Sequence, residues 1–385
     1  MRNEAGCNFL KISADQEISS DRVELLRHPI GMNRPKQQVP IDWSIELLRG
    51  VAALMVVVAH YWPLMSFEPG ILRFIVTGVD LFFVISGFVF APYLFGKKLT
   101  ISSHLIRRIF RIYPLYVVSL FIYAGLRLHQ GLDADYFLVH LFFLHTVESR
   151  EIAYHFNPAY WSLPPEVEFY LALPLFTFFV KGMRHVIVLL GVSLIVHLFL
   201  AYTSTIDNSS LNVSTILNIH LPGLLIEFLL GSVAWFVVSN LPSRLTRVGM
   251  LIGGVLLWIL IASIVSSYHS SGGDNALVAN NMLRGNMGLF AATAYALIVA
   301  ALVGWVACPP MWIGVGAAAL GNLSFGLYLF HNAAPIILNA FKISISAPAF
   351  TFMCVLLTFL LSALLHITFE NPLRNFGRDL AGRRR

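Results

Sequence analysis

The chain has 385 residues, 57% of them hydrophobic and 12% charged, with a mean hydropathy of +0.74 and a formal net charge of +6 at pH 7. That composition excludes an ordinary soluble domain and fits a multi-pass membrane protein. The three cysteines, Cys7, Cys308 and Cys354, have no paired spacing, so no disulfide framework and no zinc or redox motif is expected.

Residues 1–43 form a polar tail with no apolar run near Met1, and no cleavable signal peptide is expected. A membrane helix needs about 20 mostly apolar residues. Ten stretches qualify: 45–64, 73–95, 111–128, 161–180, 185–203, 215–239, 247–267, 286–307, 318–339 and 349–369. The segment YFLVHLFFLHTV, 136–147, is too short to cross and reads as a re-entrant or interfacial helix. About twenty of the 26 Lys and Arg fall on the side of the two termini, against about five on the other. The positive-inside rule then makes both termini cytoplasmic, and an even number of spans satisfies that. The same placement explains the basic excess without nucleic acid. The loops IDNSSLNVST and SSYHSSGGDNALVANN are too short for a folded soluble domain. The expected fold is an all-α polytopic bundle of about ten helices. It comprises an N-terminal tail, 1–43, a membrane domain, 44–370, and a basic cytoplasmic tail, 371–385.

Polar residues inside the spans carry the functional signal. The first span reads RGVAALMVVVAH, with ten uncharged apolar residues between Arg49 and His60. Eleven steps at 3.6 residues per turn put both side chains on one helix face, about 16 Å apart. Arg49 could snorkel to the inner headgroups, and His60 could be a packed histidine bonded to a carbonyl. The second span, GVDLFFVISGFVF, carries Asp80 about two turns from its outer end, where it could brace helices; Ser86 and Gly87 suit close helix packing. The fourth opens NPAYWSLPPEVEFY. Tyr160 and Trp161 suit an outer interface belt, Pro164 and Pro165 a first helical turn, and Glu166 lies about 7 Å in. His60, Asp80 and Glu166 are thus expected at similar depth, as proton transfer requires. Glu168, about 200° round the helix from Glu166, is expected in another role. In RRIFRIYP, Arg108 and Arg111 share a face. They could be topology signals or, as arginines, phosphate partners. In the ninth span, Ser324, Tyr328 and His331 recur at helical spacing and form a polar stripe.

Taken together, these motifs resemble the acyltransferase-3 family of integral-membrane acyltransferases. The resemblance runs from about Ile41 to Arg374. It rests on Arg49 and His60, on Gly78 to Phe88, on Arg108, Arg111, Tyr113 and Pro114, on Trp161 to Tyr170, on Ser324 to His331 with Phe325 in place of tyrosine, and on Glu370 and Pro372. Glu46 stands where the family often has aspartate, and the family's glutamate pair is broken here into Glu166, Val167 and Glu168.

The resemblance implies O-acyl transfer, commonly of acetyl, from cytoplasmic acetyl-CoA or another acyl-CoA. The acceptor would be a hydroxyl of a cell-surface or lipid-linked glycan, and the compartment the bacterial inner (cytoplasmic) membrane. It implies His60 as the essential catalytic residue, acting as general base or through an acyl-histidine. Glu166 or Asp80 would orient the ring. The CoA arm would enter past Arg49, Arg108 and Arg111, and Ser324, Tyr328 and His331 would contact substrate. No metal and no tightly bound cofactor is expected. The rival readings are a proton-coupled transporter or flippase, against which no inverted repeat is visible, and a structural partner of a polysaccharide-export complex.

Overall fold

The computed structural model describes residues 43–65, 70–205, 211–279, 281–305, 309–342 and 345–383. The N-terminal tail, Cys7 and Cys308 lie outside them. Every described element is helical. In hydrocarbon a backbone must satisfy its own hydrogen bonds, and a helix does so within one segment. In chain order the helices are α1 (Trp43–Tyr61), α2 (Gly78–Leu94), α3 (Ile101–His129), α4 (Phe137–Leu141), α5 (Arg150–Ala153), α6 (Leu163–Phe179) and α7 (Met183–Thr203). They continue with α8 (Val213–Ile219), α9 (Leu221–Ser239), α10 (Arg244–Ala279), α11 (Asn281–Leu302), α12 (Met311–Phe330), α13 (Ala333–Ala340), α14 (Ala347–Leu365) and α15 (Asn371–Gly382).

Among the described residues nine helical segments are long and apolar enough to cross a membrane. The expected fourth span is missing from that set: α6 is short, with 17 residues, and Glu166, Glu168 and three prolines lower its mean hydropathy. Helix direction nevertheless assigns it a crossing. Gly50 of α1 lies against Leu320 of α12, and His60 stacks edge-on against His331 just beyond α12. The two helices therefore run the same way. That requires an even number of crossings from α1 to the start of α12, which α6 completes.

Several expected boundaries shift. The third helix begins at Ile101, ten residues before the expected start of the span, so the basic run Arg107–Arg111 lies within it. The segment at 136–147 is indeed too short to cross: it holds α4 and then a turn. The sixth span is broken at His220 into α8 and α9. The expected outer loop after the seventh span is helical as far as Ala279. The ninth span breaks at His331. Pro335 has no N–H to give to the carbonyl four residues back, which is that of His331. Tyr61 Oη supplies the missing donor at 2.6 Å. The C-terminal tail is not free: α14 runs through a π-helical turn, His366–Glu370, into α15, which lies on α3 through Phe376 against Phe110.

The tightest contact is between α2 and α9. A Cβ on Gly87 would overlap the Phe228 carbonyl, and one on Gly231 would overlap the Val84 carbonyl. Backbones can approach this closely only where both faces carry glycine. Ser232 Oγ adds a hydrogen bond to the Gly87 carbonyl at 3.1 Å.

Candidate active site

The segment between α5 and α6 turns inward and fixes one end of the site. Asn157 is fully buried; its amide donates to the Leu329 carbonyl at 3.0 Å, and its Oδ1 accepts from Ala159 N at 3.0 Å and from Asn332 Nδ2 at 2.8 Å. Tyr160, expected in an outer belt, is instead fully buried, with its hydroxyl on Ser119 at 2.7 Å and Tyr116 and Tyr123 around its ring. The reason is local. Asn157 caps a short 3-10 turn, Pro158–Ser162, that carries the chain into the bundle before α6 begins. Ser162 Oγ then meets Tyr328 Oη at 2.6 Å.

A partly open cavity lies between α1, α2, α3, α6 and α12. Its polar wall is Arg49, Arg111, Ser162, Glu166, Ser324 and Tyr328; Val79, Phe82 and Phe83 of α2 form an apolar side. Five residues singled out from sequence thus meet here: Arg49, Arg111, Glu166, Ser324 and Tyr328. Arg49 is steadied by Glu46, one helical turn earlier, at 3.4 Å. Arg108 stands outside the wall, with its guanidinium over the rings of Phe90 and Tyr170, 5.0 and 5.6 Å from their centres. Tyr170 in turn donates a short hydrogen bond to Glu166. This is a cationic, aromatic-lined end, suited to an anionic ligand.

His60 and His331 lie beyond the Tyr328 end. The ring centres of Tyr328 and His331 are 6.2 Å apart, and those of His331 and His60 are 4.6 Å apart at 61°. His60 Nδ1 is 2.9 Å from the Val56 carbonyl, and His331 Nδ1 is 2.8 Å from the Tyr328 carbonyl. A carbonyl only accepts, so in each ring Nδ1 carries the hydrogen and Nε2 keeps its lone pair. His331 Nε2 is buried and has no partner. Two imidazoles, each with a lone pair on Nε2, therefore pack edge-on beyond the Tyr328 end of the cavity.

Neither acidic residue expected to orient His60 does so. Glu166 bonds to Tyr170 near the arginines, and Asp80 faces Glu227 of α9 beside Gly288. The ring of His60 is held by the carbonyl of its own helix, one turn back. Glu168 has the separate role expected of it. It accepts from Leu221 N at 2.8 Å, capping α9, and from His220 Nδ1 at 2.5 Å, while His220 Nε2 meets Thr146 Oγ1 at 2.9 Å. Glu227 was not anticipated from sequence. A carboxylate in the apolar run LLIEFLLG was the available signal.

No solved structure matches the chain. The protein named "Putative acetyltransferase ORF330" of Acidianus two-tailed virus is 24% identical over 299 residues, covering 75% of this chain and 82% of the viral protein. The family described as "Acyltransferase domain" matches residues 42–367, which take in α1 to α14 and every wall residue of the cavity. The chain therefore belongs to the acyltransferase-3 family of membrane acyltransferases.

Proposed function

We propose that the protein moves an acyl group, acetyl in the simplest case, from acyl-CoA to a hydroxyl of a surface or lipid-linked glycan. One observation carries this reading. A single cavity has cations at one end, Arg49 and Arg111, and at the other end Tyr328, beside the His331–His60 pair. CoA phosphates suit the cationic end, with Arg108 close by, and the pantetheine arm suits the apolar wall of α2. Ser162, Ser324 and Tyr328 offer hydroxyls to the thioester or to the incoming sugar.

In the proposed step the acceptor hydroxyl attacks the thioester carbon. His60 Nε2 takes the hydroxyl proton, which a lone pair at that nitrogen permits. The tetrahedral adduct expels CoA thiolate, and the proton from His60 returns to the sulfur. One ester forms, one thioester breaks, and no net proton is released. His331, with its free Nε2 beside His60, positions the proton during the transfer. Glu166 holds Tyr170 and Arg108 at the CoA end instead of acting on the imidazole. The arginine end faces the cytoplasm, as the charge distribution supports.

The test is transfer of radiolabel from acetyl-CoA to glycan in membranes with and without the protein. His60→Ala should lower transfer at least about 100-fold at normal membrane insertion. Transfer at the wild-type rate would remove His60 from the chemistry. Glycan movement across the membrane without label transfer would favour a transporter. Orientation is checked with single cysteines in a background lacking the native three. Met65→Cys should react with an impermeant thiol reagent from outside, and Lys98→Cys only after the membrane is opened.

A further inference from the structure

The other face of α2 holds two carboxyls that the proposed acyl transfer does not use. Asp80 stands in the first turn of α2 and Glu227 in the second turn of α9. Asp80 is 9% exposed and Glu227 is 0% exposed. The two carboxyl groups face each other beside Gly288. Among the described residues neither forms an ion pair with a lysine, arginine or histidine. No N–H and no hydroxyl reaches either oxygen of Glu227.

The third wall is Gly288 of α11. A Cβ there would lie 2.5 Å from Asp80 Oδ1 and 2.5 Å from Glu227 Oε1. Both oxygens therefore converge on one spot that only a glycine leaves open. Tyrosines of the adjoining helices are already engaged. Tyr295 of α11 meets Thr77 Oγ1 at 2.7 Å and accepts from Trp258 Nε1 at 3.0 Å. Tyr328 of α12 is bonded to Ser162 and to the Ala159 carbonyl.

Two ionised carboxylates only accept hydrogen bonds, so they cannot bond to each other. Two like unit charges 4 Å apart repel by about 4 kcal/mol even at an effective dielectric of 20. Burial of both charges without a cation would add to that. One shared proton removes both costs. A carboxylic acid then donates to a carboxylate in a short, charge-assisted hydrogen bond, the arrangement two carboxyls adopt when forced into one site.

We propose that Asp80 and Glu227, closed over by Gly288, form a proton-binding site that joins α2, α9 and α11 inside the bundle. The ligand is a single proton, held between the two carboxyls at neutral pH. Asp80 serves this junction and takes no part in orienting His60.

The test is infrared spectroscopy of the full chain in lipid nanodiscs at pH 7, in H2O and D2O. The unaltered protein should show the carbonyl band of a protonated carboxylic acid that shifts in D2O. That band should be absent from Asp80→Asn/Glu227→Gln, in which amides replace the acid–carboxylate pair. Gly288→Ala, which pushes a methyl between the two oxygens, should displace the band. If the double variant cannot be recovered, the D2O shift and the Gly288→Ala displacement decide the matter. A wild-type spectrum with no protonated carboxyl in the band region overturns the proposal. So do carboxylate bands that move when sodium is exchanged for choline, since they would assign the site to a metal cation.

Discussion

The two faces of α2 differ in kind. Toward α1, α3, α6 and α12 its side chains line a cavity whose polar groups stand at the edge of open space. Toward α9 and α11 the backbones touch through Gly87 and Gly231, and the carboxyls of Asp80 and Glu227 are sealed against Gly288. A polar residue inside a membrane helix is costly wherever it lies, but the two faces meet that cost differently. On the cavity face the groups are left for a ligand. On the packed face they are closed in against one another. Intramembrane polarity alone therefore does not mark a catalytic residue, and what decides is whether space lies next to it.

The largest expected effect breaks the packed face. Gly87→Val would drive a side chain into the Phe228 backbone, and neither helix can move without losing the reciprocal contact at Gly231. We expect a destabilisation of about 3 kcal/mol, read as loss of monodisperse protein after detergent extraction. Gly125→Val on α3, where a Cβ meets nothing within 4 Å, should leave the yield unchanged. Equal losses from both would mean that the α2–α9 approach has no special weight.

The next effect bears on the segment packed against Tyr160. His140 and His145, in the stretch between α3 and α6, stack with ring centres 4.4 Å apart. Burial pushes His140 down to about 4 and His145 down to about 3, with the neighbouring His140 adding to the second. The unfolded chain binds protons at these rings from about pH 6.5 downward, and the folded chain does not. Their contribution is therefore fully present above pH 6.5 and declines as pH falls toward 4 and 3. At pH 5 the loss is about 2 kcal/mol for each ring. Thermal unfolding at pH 7 and pH 5 measures it. His145→Gln, which keeps a donor for the Tyr160 carbonyl, should remove about half of the difference. An unchanged pH response would show that these rings titrate normally.

The smallest effect sharpens the cavity face. Arg111 lines the wall, whereas Arg108 is stacked on Phe90 and Tyr170. Arg111→Ala should raise KM for acyl-CoA about tenfold, or about 1.4 kcal/mol, with kcat nearly unchanged. Arg111→Lys should recover only part of this, because a point charge lacks the planar fork. A fall in kcat at constant KM would place Arg111 at the reacting centre and not at the phosphates.

The amino-acid order by itself determined the class of fold, because a run of apolar residues long enough to cross a bilayer has one backbone solution. It also determined the shared face of Arg49 and His60, since eleven residues close three helical turns, and it separated Glu168 from Glu166 by the same geometry. It marked Ser324, Tyr328 and His331 as one stripe. Periodicity names a face, however, and not what lies opposite it. Only the tertiary structure decided that Asp80 meets Glu227, that Glu166 turns to Tyr170, and that His60 has a second imidazole for a neighbour. It alone placed Tyr160 in the core instead of the interface, because the turn at Asn157 takes the chain inward. Apart from Glu166 and Tyr170, one turn apart on α6, these contacts join segments far apart in sequence. In hydrocarbon every helix offers a similar apolar surface, so the pairing is chosen by the few places where backbones fit closely, such as Gly87 against Phe228 and Gly50 against Leu320.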